Sequence, residues 1–303
     1  MPEQLIAVDG VDLCYESFGD PACPTVLLVM GLGTQMLGWR PEFCALLVAE
    51  GFHVIRFDNR DVGRSTHFPD HAPPTLPELL LRRPRNPAYT LENMAGDAAG
   101  LLAVLGIESA HVVGASMGGM IAQALAVAHP ERVRSLVSIM STTGASRVGR
   151  TSLRVLPFLA KPPAASREDA VARTAALFGL IGSPGFERDV AATRELAGAS
   201  FDRDPDRRGA GRQLGAILAS GDRTAALKRI TCPTLVIHGL ADRMVAPSGG
   251  RATAKAIPGA RLELIEGMGH DLPRPLWPRI VGSIADQARA ADRGASRATS
   301  GTP

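Results

Sequence analysis

The chain has 303 residues, 45% of them hydrophobic and 4% aromatic, with a net charge of +3, enough to bury one large core or a core with a smaller appended unit. So small a charge, spread through the sequence, gives no nucleic-acid footprint and no membrane-surface stripe, and arginine groups such as Arg82-Arg83-Pro84-Arg85 read as solvated surface. The first ten residues show no signal pattern, and no run approaches the roughly 18 apolar residues that cross a bilayer, so a soluble, cytoplasmic protein without nucleic-acid or membrane partners is expected.

Residues 5–8 and 11–18 flank Asp9-Gly10, two positions that tolerate positive φ, and so predict a hairpin at an antiparallel edge. The apolar run 25–30, bounded by Pro24 and Gly31, predicts a strand covered on both faces. A helix at 41–50, a strand at 52–57, a helix at 91–105 and strands at 110–113 and 133–140 follow; the proline-rich stretch 73–88 reads as an irregular insertion. Such alternation implies crossover connections and a mainly parallel sheet with helices on both faces. From 141 to 230 the rhythm breaks, because helical patterns near 170–180, 189–196 and 209–219 succeed one another without a strand. It resumes with a strand at 234–238, a helix at 249–256, a strand at 261–265 and a last helix from 276. The expected organisation is a core of residues 1–140 and 231–290, a helical insertion at 141–230, and a flexible tail at 291–303 rich in Ala, Ser, Gly and Arg.

Gly114-Ala115-Ser116-Met117-Gly118 lies between the strand at 110–113 and an Ala-rich helical pattern at 120–128. A serine on so tight a strand-to-helix turn needs small neighbours two residues to either side, since its backbone is strained and side chains there would clash. Its hydroxyl is a weak nucleophile at neutral pH and needs a base, itself oriented by a carboxylate. In an open parallel sheet reactive groups gather beyond the carboxyl ends of the strands. Asp242 follows the strand at 234–238 and His270 the strand at 261–265, so Ser116, Asp242 and His270 are the candidate catalytic residues. His238 also ends a strand, but on that spacing it should lie beneath the rim. His53, His67, His71, His111 and His129 do not end a strand near Ser116. Asp58 and Asp61, in Asp58-Asn59-Arg60-Asp61-Val62-Gly63-Arg64-Ser65, are alternative acids on a strand end, but read rather as parts of a structural turn held by charge-assisted hydrogen bonds.

Attack on a carbonyl creates an oxyanion, and a backbone N–H aimed at it is worth ~3 kcal/mol. Met117 supplies one candidate, because the first amides of a helix lack intrahelical acceptors. Leu32, in Gly31-Leu32-Gly33 after the strand at 25–30, is the second. The four cysteines, Cys14, Cys23, Cys44 and Cys232, show no C-x-x-C spacing, which supports neither a metal site nor a disulfide framework; a Cys14–Cys23 bridge stays open.

These residues together resemble the α/β-hydrolase superfamily over roughly residues 5–285, insertions excepted. More narrowly, Val29-Met30-Gly31-Leu32-Gly33, the segment from Asp58 to Ser65, and Gly267-Met268-Gly269-His270 are similar to the carboxylesterases that include aclacinomycin methylesterase. The resemblance implies an eight-stranded, mainly parallel sheet with a helical cap formed by the insertion. It implies ester hydrolysis through an acyl-enzyme, with no metal or organic cofactor, and a small-molecule ester as partner. Many superfamily members carry His-Gly at the oxyanion strand exit, whereas this chain has Met30-Gly31, so the bonds usual for that histidine must be replaced or absent. Apolar stretches in the insertion, Leu153, Val155, Leu156, Phe158 and Leu159, then Leu177, Phe178, Leu180 and Ile181, offer either cap core or a lining for a short- to medium-chain ester of a hydrophobic substrate. A lactonase or carbon–carbon bond hydrolase would use the same three side chains, and a small-molecule receptor of this fold is a third reading.

Overall fold

The computed structural model describes residues 2–159, 161–204 and 206–300, except the side chains of Leu80 and of 295–300. Asp9 and Gly10 adopt φ of 41° and 87° and close the hairpin between β1 (Gln4–Val8) and β2 (Val11–Phe18). The remaining strands are β3 (Thr25–Val29), β4 (His53–Phe57), β5 (Ala110–Ala115), β6 (Val133–Ile139), β7 (Thr234–Gly239) and β8 (Arg261–Ile265). They form one eight-stranded sheet in the order β1-β2-β4-β3-β5-β6-β7-β8. Pairing is antiparallel for β1 with β2 and β2 with β4, and parallel from β4 to β8. The expected fold class is therefore the one observed.

The sheet is held by two cores that share its central strands. Leu27 and Val29 of β3 pack among buried residues of α3 (Leu91–Val104) and α4 (Met117–Ala128), whereas Val26 and Leu28 face α1 (Pro41–Ala49) and α11 (Trp277–Ser300). Alternate side chains of a strand point to opposite faces, so a run that is apolar at every position is what a strand between two helical layers requires. All four of these side chains are fully buried, and each contributes about 1.5–3 kcal/mol relative to exposure. Slipping β3 by one residue would exchange the two sets and lose their fit.

The proline-rich stretch contains a helix that the proline spacing conceals, α2 (Leu76–Leu81). Thr75 and Glu78 form its capping box, with the Thr75 amide donating to Glu78 Oε2 at 2.8 Å, and Pro77 stands in the first turn, where its missing N–H costs nothing.

Between β6 and β7 lie α5 (Leu156–Leu159), α6 (Arg167–Ile181), α7 (Val190–Arg203), α8 (Gly209–Ser220) and α9 (Thr224–Leu227), with no strand among the described residues. Ser166 and Asp189 cap α6 and α7 by accepting from the amides of Asp169 and Ala192. α10 (Ser248–Ala256) joins β7 to β8, and its Ala256 packs in the α3/α4 core. Helix α11 runs on to Ser300, so the segment expected as a tail from 291 is helical that far; alanine and arginine are strong helix formers and outweigh Gly294. The rest of the expected tail, 301–303, lies outside the described residues.

Candidate active site

Ser116 sits between β5 and α4 with φ 57° and ψ −119°, a conformation that L-residues avoid and that tight packing must enforce. The sequence shows how this is done. A Cβ on Gly114 would lie 2.1 Å from the Gly118 carbonyl oxygen, and one on Gly118 would lie 2.1 Å from the Val29 carbonyl oxygen. Both glycines therefore let the turn close against itself and against β3. The turn holds the serine at the sheet's carboxyl edge, while Ser116 N–H donates to the Ile139 carbonyl of β6 at 2.9 Å.

His270 brings the other two groups to it. Its Nε2 is 3.0 Å from Ser116 Oγ, and its Nδ1 is 2.7 Å from Asp242 Oδ2. The histidine backbone is itself fixed, donating its N–H to the Ile181 carbonyl at the end of α6 at 2.7 Å. Asp242 is buried and its other oxygen accepts from the amides of Met244 at 2.8 Å and Val245 at 2.9 Å. Burial alone would raise its pKa. The charge of His270 and hydrogen bonds from His238, His270 and Val245 outweigh burial and hold it at about 2. A carboxylate so stabilised stays ionised at neutral pH and fixes His270 with Nδ1 as donor, leaving Nε2 to face the serine.

The Gly31-Leu32-Gly33 turn meets the serine from the β3 side. A Cβ on Gly31 would lie 3.0 Å from Ser116 Cβ and 3.2 Å from the Ala115 carbonyl oxygen, so any larger residue there would have to push the two turns apart. Two amides of the turn are already engaged: Gly33 N–H donates to Gln213 Oε1 at 2.8 Å, and Thr34 N–H to the Gly31 carbonyl at 3.1 Å. Leu32 and Ser116 both line the same cavity, and Met117 opens α4 directly after the serine. Met30, in place of the histidine common elsewhere, packs its thioether against Gly38. Its carbonyl accepts from Asn59 Nδ2 at 2.9 Å, so the turn after β4 anchors the strand exit.

The cavity over Ser116 has a volume of about 350 Å³. Its sheet-side wall includes Met30, Trp39 and Phe43, and the opposite wall includes Leu177, Phe178 and Ile181 of α6 with Val190 and Leu196 of α7. Of the earlier apolar group only Leu159 reaches it; Val155 is buried, and Leu153 and Leu156 point to solvent.

The remaining candidates have other employment. His238 is fully buried beneath the acid, with Nε2 2.8 Å from the Val245 carbonyl and 3.4 Å from Asp242 Oδ2. Asp58 accepts from the amides of Met36 at 2.7 Å and Arg64 at 3.1 Å, and from Arg203 Nη2 of α7 at 2.9 Å. Asp61 accepts from Tyr89 Oη at 2.6 Å and from Arg212 of α8 through two nitrogens at 2.9 and 2.6 Å. The turn expected to be structural thus also seats two helices of the insertion, a role with no local mark in the sequence. All four cysteines are free, which leaves Cys14 and Cys23 unbridged.

The family described as alpha/beta hydrolase fold matches residues 24–273. The chain belongs to the α/β-hydrolase family. It is 32% identical over 312 aligned positions to rhodomycin D methylesterase DauP of Streptomyces sp. strain C5, covering 96% of this chain and 99% of that protein, so the likeness to the aclacinomycin methylesterase type read from the motifs is borne out. Among solved structures it is similar to the enol-lactonase from Burkholderia xenovorans LB400, with a TM-score of 0.71 and 25% identity over 94% of this chain and 99% of that one. The esterase RhEst1 from Rhodococcus sp. ECU1013, at 23% identity and a TM-score of 0.75 over 96% of this chain and all of that one, shares the fold.

Proposed function

We propose that this α/β-hydrolase is a serine carboxylesterase that hydrolyses short- to medium-chain esters of a hydrophobic substrate. His270 takes the proton of Ser116 as the hydroxyl attacks the acyl carbon, and Asp242 stabilises the imidazolium that forms. The Leu32 and Met117 N–H groups stabilise the oxyanion. His270 then returns the proton to the departing alcohol, and water repeats the sequence on the acyl-enzyme. The segment 141–230 acts as a cap on the core formed by 1–140 and 231–290, and its α6 and α7 set which ester fits.

The observation that carries this reading is the chain of two short contacts, 2.7 Å from Asp242 to His270 and 3.0 Å from His270 to Ser116, opening into a mainly apolar cavity. The methylesterase relatives agree with an ester as substrate. A lactonase is the second reading, favoured by the likeness to the enol-lactonase. The test is a series of chromogenic esters and lactones of increasing acyl length, assayed with wild type and Ser116→Ala. Turnover of esters lost in the variant is expected; equal turnover by the two proteins would end the assignment, and activity confined to lactones would select the second reading.

A further inference from the structure

The balance of charge over the whole chain conceals an uneven distribution. From 132 to 167 there is no Asp or Glu, while Arg147, Arg150, Arg154 and Lys161 fall within 145–163 and all four are exposed. Arg147, Arg150 and Arg154 form no salt bridge among the described residues, whereas Arg167, Arg173, Arg203 and Arg212 further along the same insertion are all paired with carboxylates. Between these cations stand Leu153 at 81%, Leu156 at 44% and Leu159 at 41% exposure. The end of α2 lies beside the segment's start, where Arg82 Nη2 reaches the Gly144 carbonyl at 3.5 Å, and it adds Leu81 at 72% exposure together with exposed Arg82 and Arg83.

The position of this segment matters as much as its composition. Gly149 N–H donates to Ser248 Oγ at 3.0 Å, and Ser152 N–H to the Arg243 carbonyl at 2.9 Å, which ties it to the loop carrying Asp242. At Leu159 it reaches the cavity wall. Bare leucines among unpaired cations suit a surface that is anionic at its skin and apolar beneath. No helix among the described residues is long and apolar enough to cross a membrane, so the contact would be peripheral.

We propose that segment 145–163, with the end of α2, is a docking surface for an anionic lipid membrane, placing the cavity mouth where a membrane-dissolved ester can enter. The entry of an ester rests on the esterase reading; the docking does not. The test is flotation of the full chain with vesicles of phosphatidylcholine, with and without phosphatidylglycerol, at low and high salt. The wild type should bind only the phosphatidylglycerol vesicles, and at low salt. Arg150→Glu/Arg154→Glu should weaken binding about tenfold or more, and Leu153→Ser/Leu156→Ser should weaken it several-fold. Both double variants should hydrolyse a soluble short-chain ester like wild type, which reports that they fold. Ser116→Ala should float like wild type, so a failed hydrolase assignment would leave this result standing. Absence of binding to phosphatidylglycerol vesicles, or binding that the arginine variant retains, overturns the proposal. So does binding that depends on the arginines but not on the leucines, which would assign the surface to a soluble acidic partner.

Discussion

The sheet-side wall of the cavity and the helical wall opposite it are held by different kinds of force. On the sheet side, Ser116 and Asp242 follow the fully buried strands β5 and β7, His270 follows the edge strand β8, and glycines at 114 and 118 leave backbone against backbone with no room for adjustment. On the helical side, α7 and α8 are tied to the core by a few buried ion pairs, Arg203 with Asp58 and Arg212 with Asp61, while α5 is barely covered at all. On the proposed esterase reading, the groups that react stand on the first wall and keep one geometry, and the second wall is where the choice of ester would vary.

The largest effect expected from that contrast is on turnover. Ser116→Ala and His270→Ala should each lower kcat by about 10⁴-fold or more without unfolding the protein, and Asp242→Asn should cost less yet still heavily. Steady-state kinetics on a short ester, with circular dichroism as the check on folding, measures this. If Asp58→Asn, and not Asp242→Asn, removed the activity, the acid would have to be reassigned to the turn that seats α7.

Next in size is the tie between the walls. Arg212→Met leaves Asp61 buried and short of its main partner, and breaking such a pair from one side costs about 3–5 kcal/mol. Urea denaturation should show that loss, while kcat on a small ester changes little, because the reactive groups hang from the sheet. A collapse of kcat as large as that of Ser116→Ala would mean that the two walls are one mechanical unit.

How far these features are legible in the sequence follows the same division. Ser116, Asp242 and His270 could be read from one-dimensional patterns because each comes within a few residues of a strand end, and strands announce themselves as short apolar runs bounded by Gly or Pro. The place of Leu32 in the cavity wall is legible for the same reason. The partners of Asp58 and Asp61 were not, since Arg203 and Arg212 lie 145 and 151 residues away and nothing near either arginine distinguishes it from the solvated ones. α2 had its signal in Thr75 and Glu78, masked by prolines that stand in its first turn or outside it. The cationic, leucine-bearing segment was visible as a stretch without carboxylates, but a whole-chain average of charge erases it.

A third test concerns backbone packing at the elbow. Gly118→Ala would force a Cβ to 2.1 Å from the Val29 carbonyl oxygen, a clash with main chain that no rotamer relieves, so β3 and α4 must separate. A loss of about 3 kcal/mol in stability is expected, with turnover falling further because the Ser116 amide and the turn at Gly31 move with them. Gly96 on α3, with open space around its position, is the control: Gly96→Ala should leave stability unchanged or raise it by up to about 1 kcal/mol.

The smallest expected effect isolates the acid. Asp242 has its pKa depressed to about 2 in the fold against about 3.9 when unfolded, so the unfolded chain binds its proton first as pH falls. The group therefore adds stability that is fully present above about pH 4 and is lost as pH drops through 2, amounting to roughly 2 kcal/mol. Asp242→Asn removes the titration, so the difference in unfolding free energy between wild type and variant should shrink steadily from pH 5 to pH 2. Because the depression comes from His270 and from His238 below it, His238→Leu should reduce the slope in wild-type Asp242 without abolishing it, whereas a slope unaltered by either substitution would show that this carboxylate is no better held in the fold than in water.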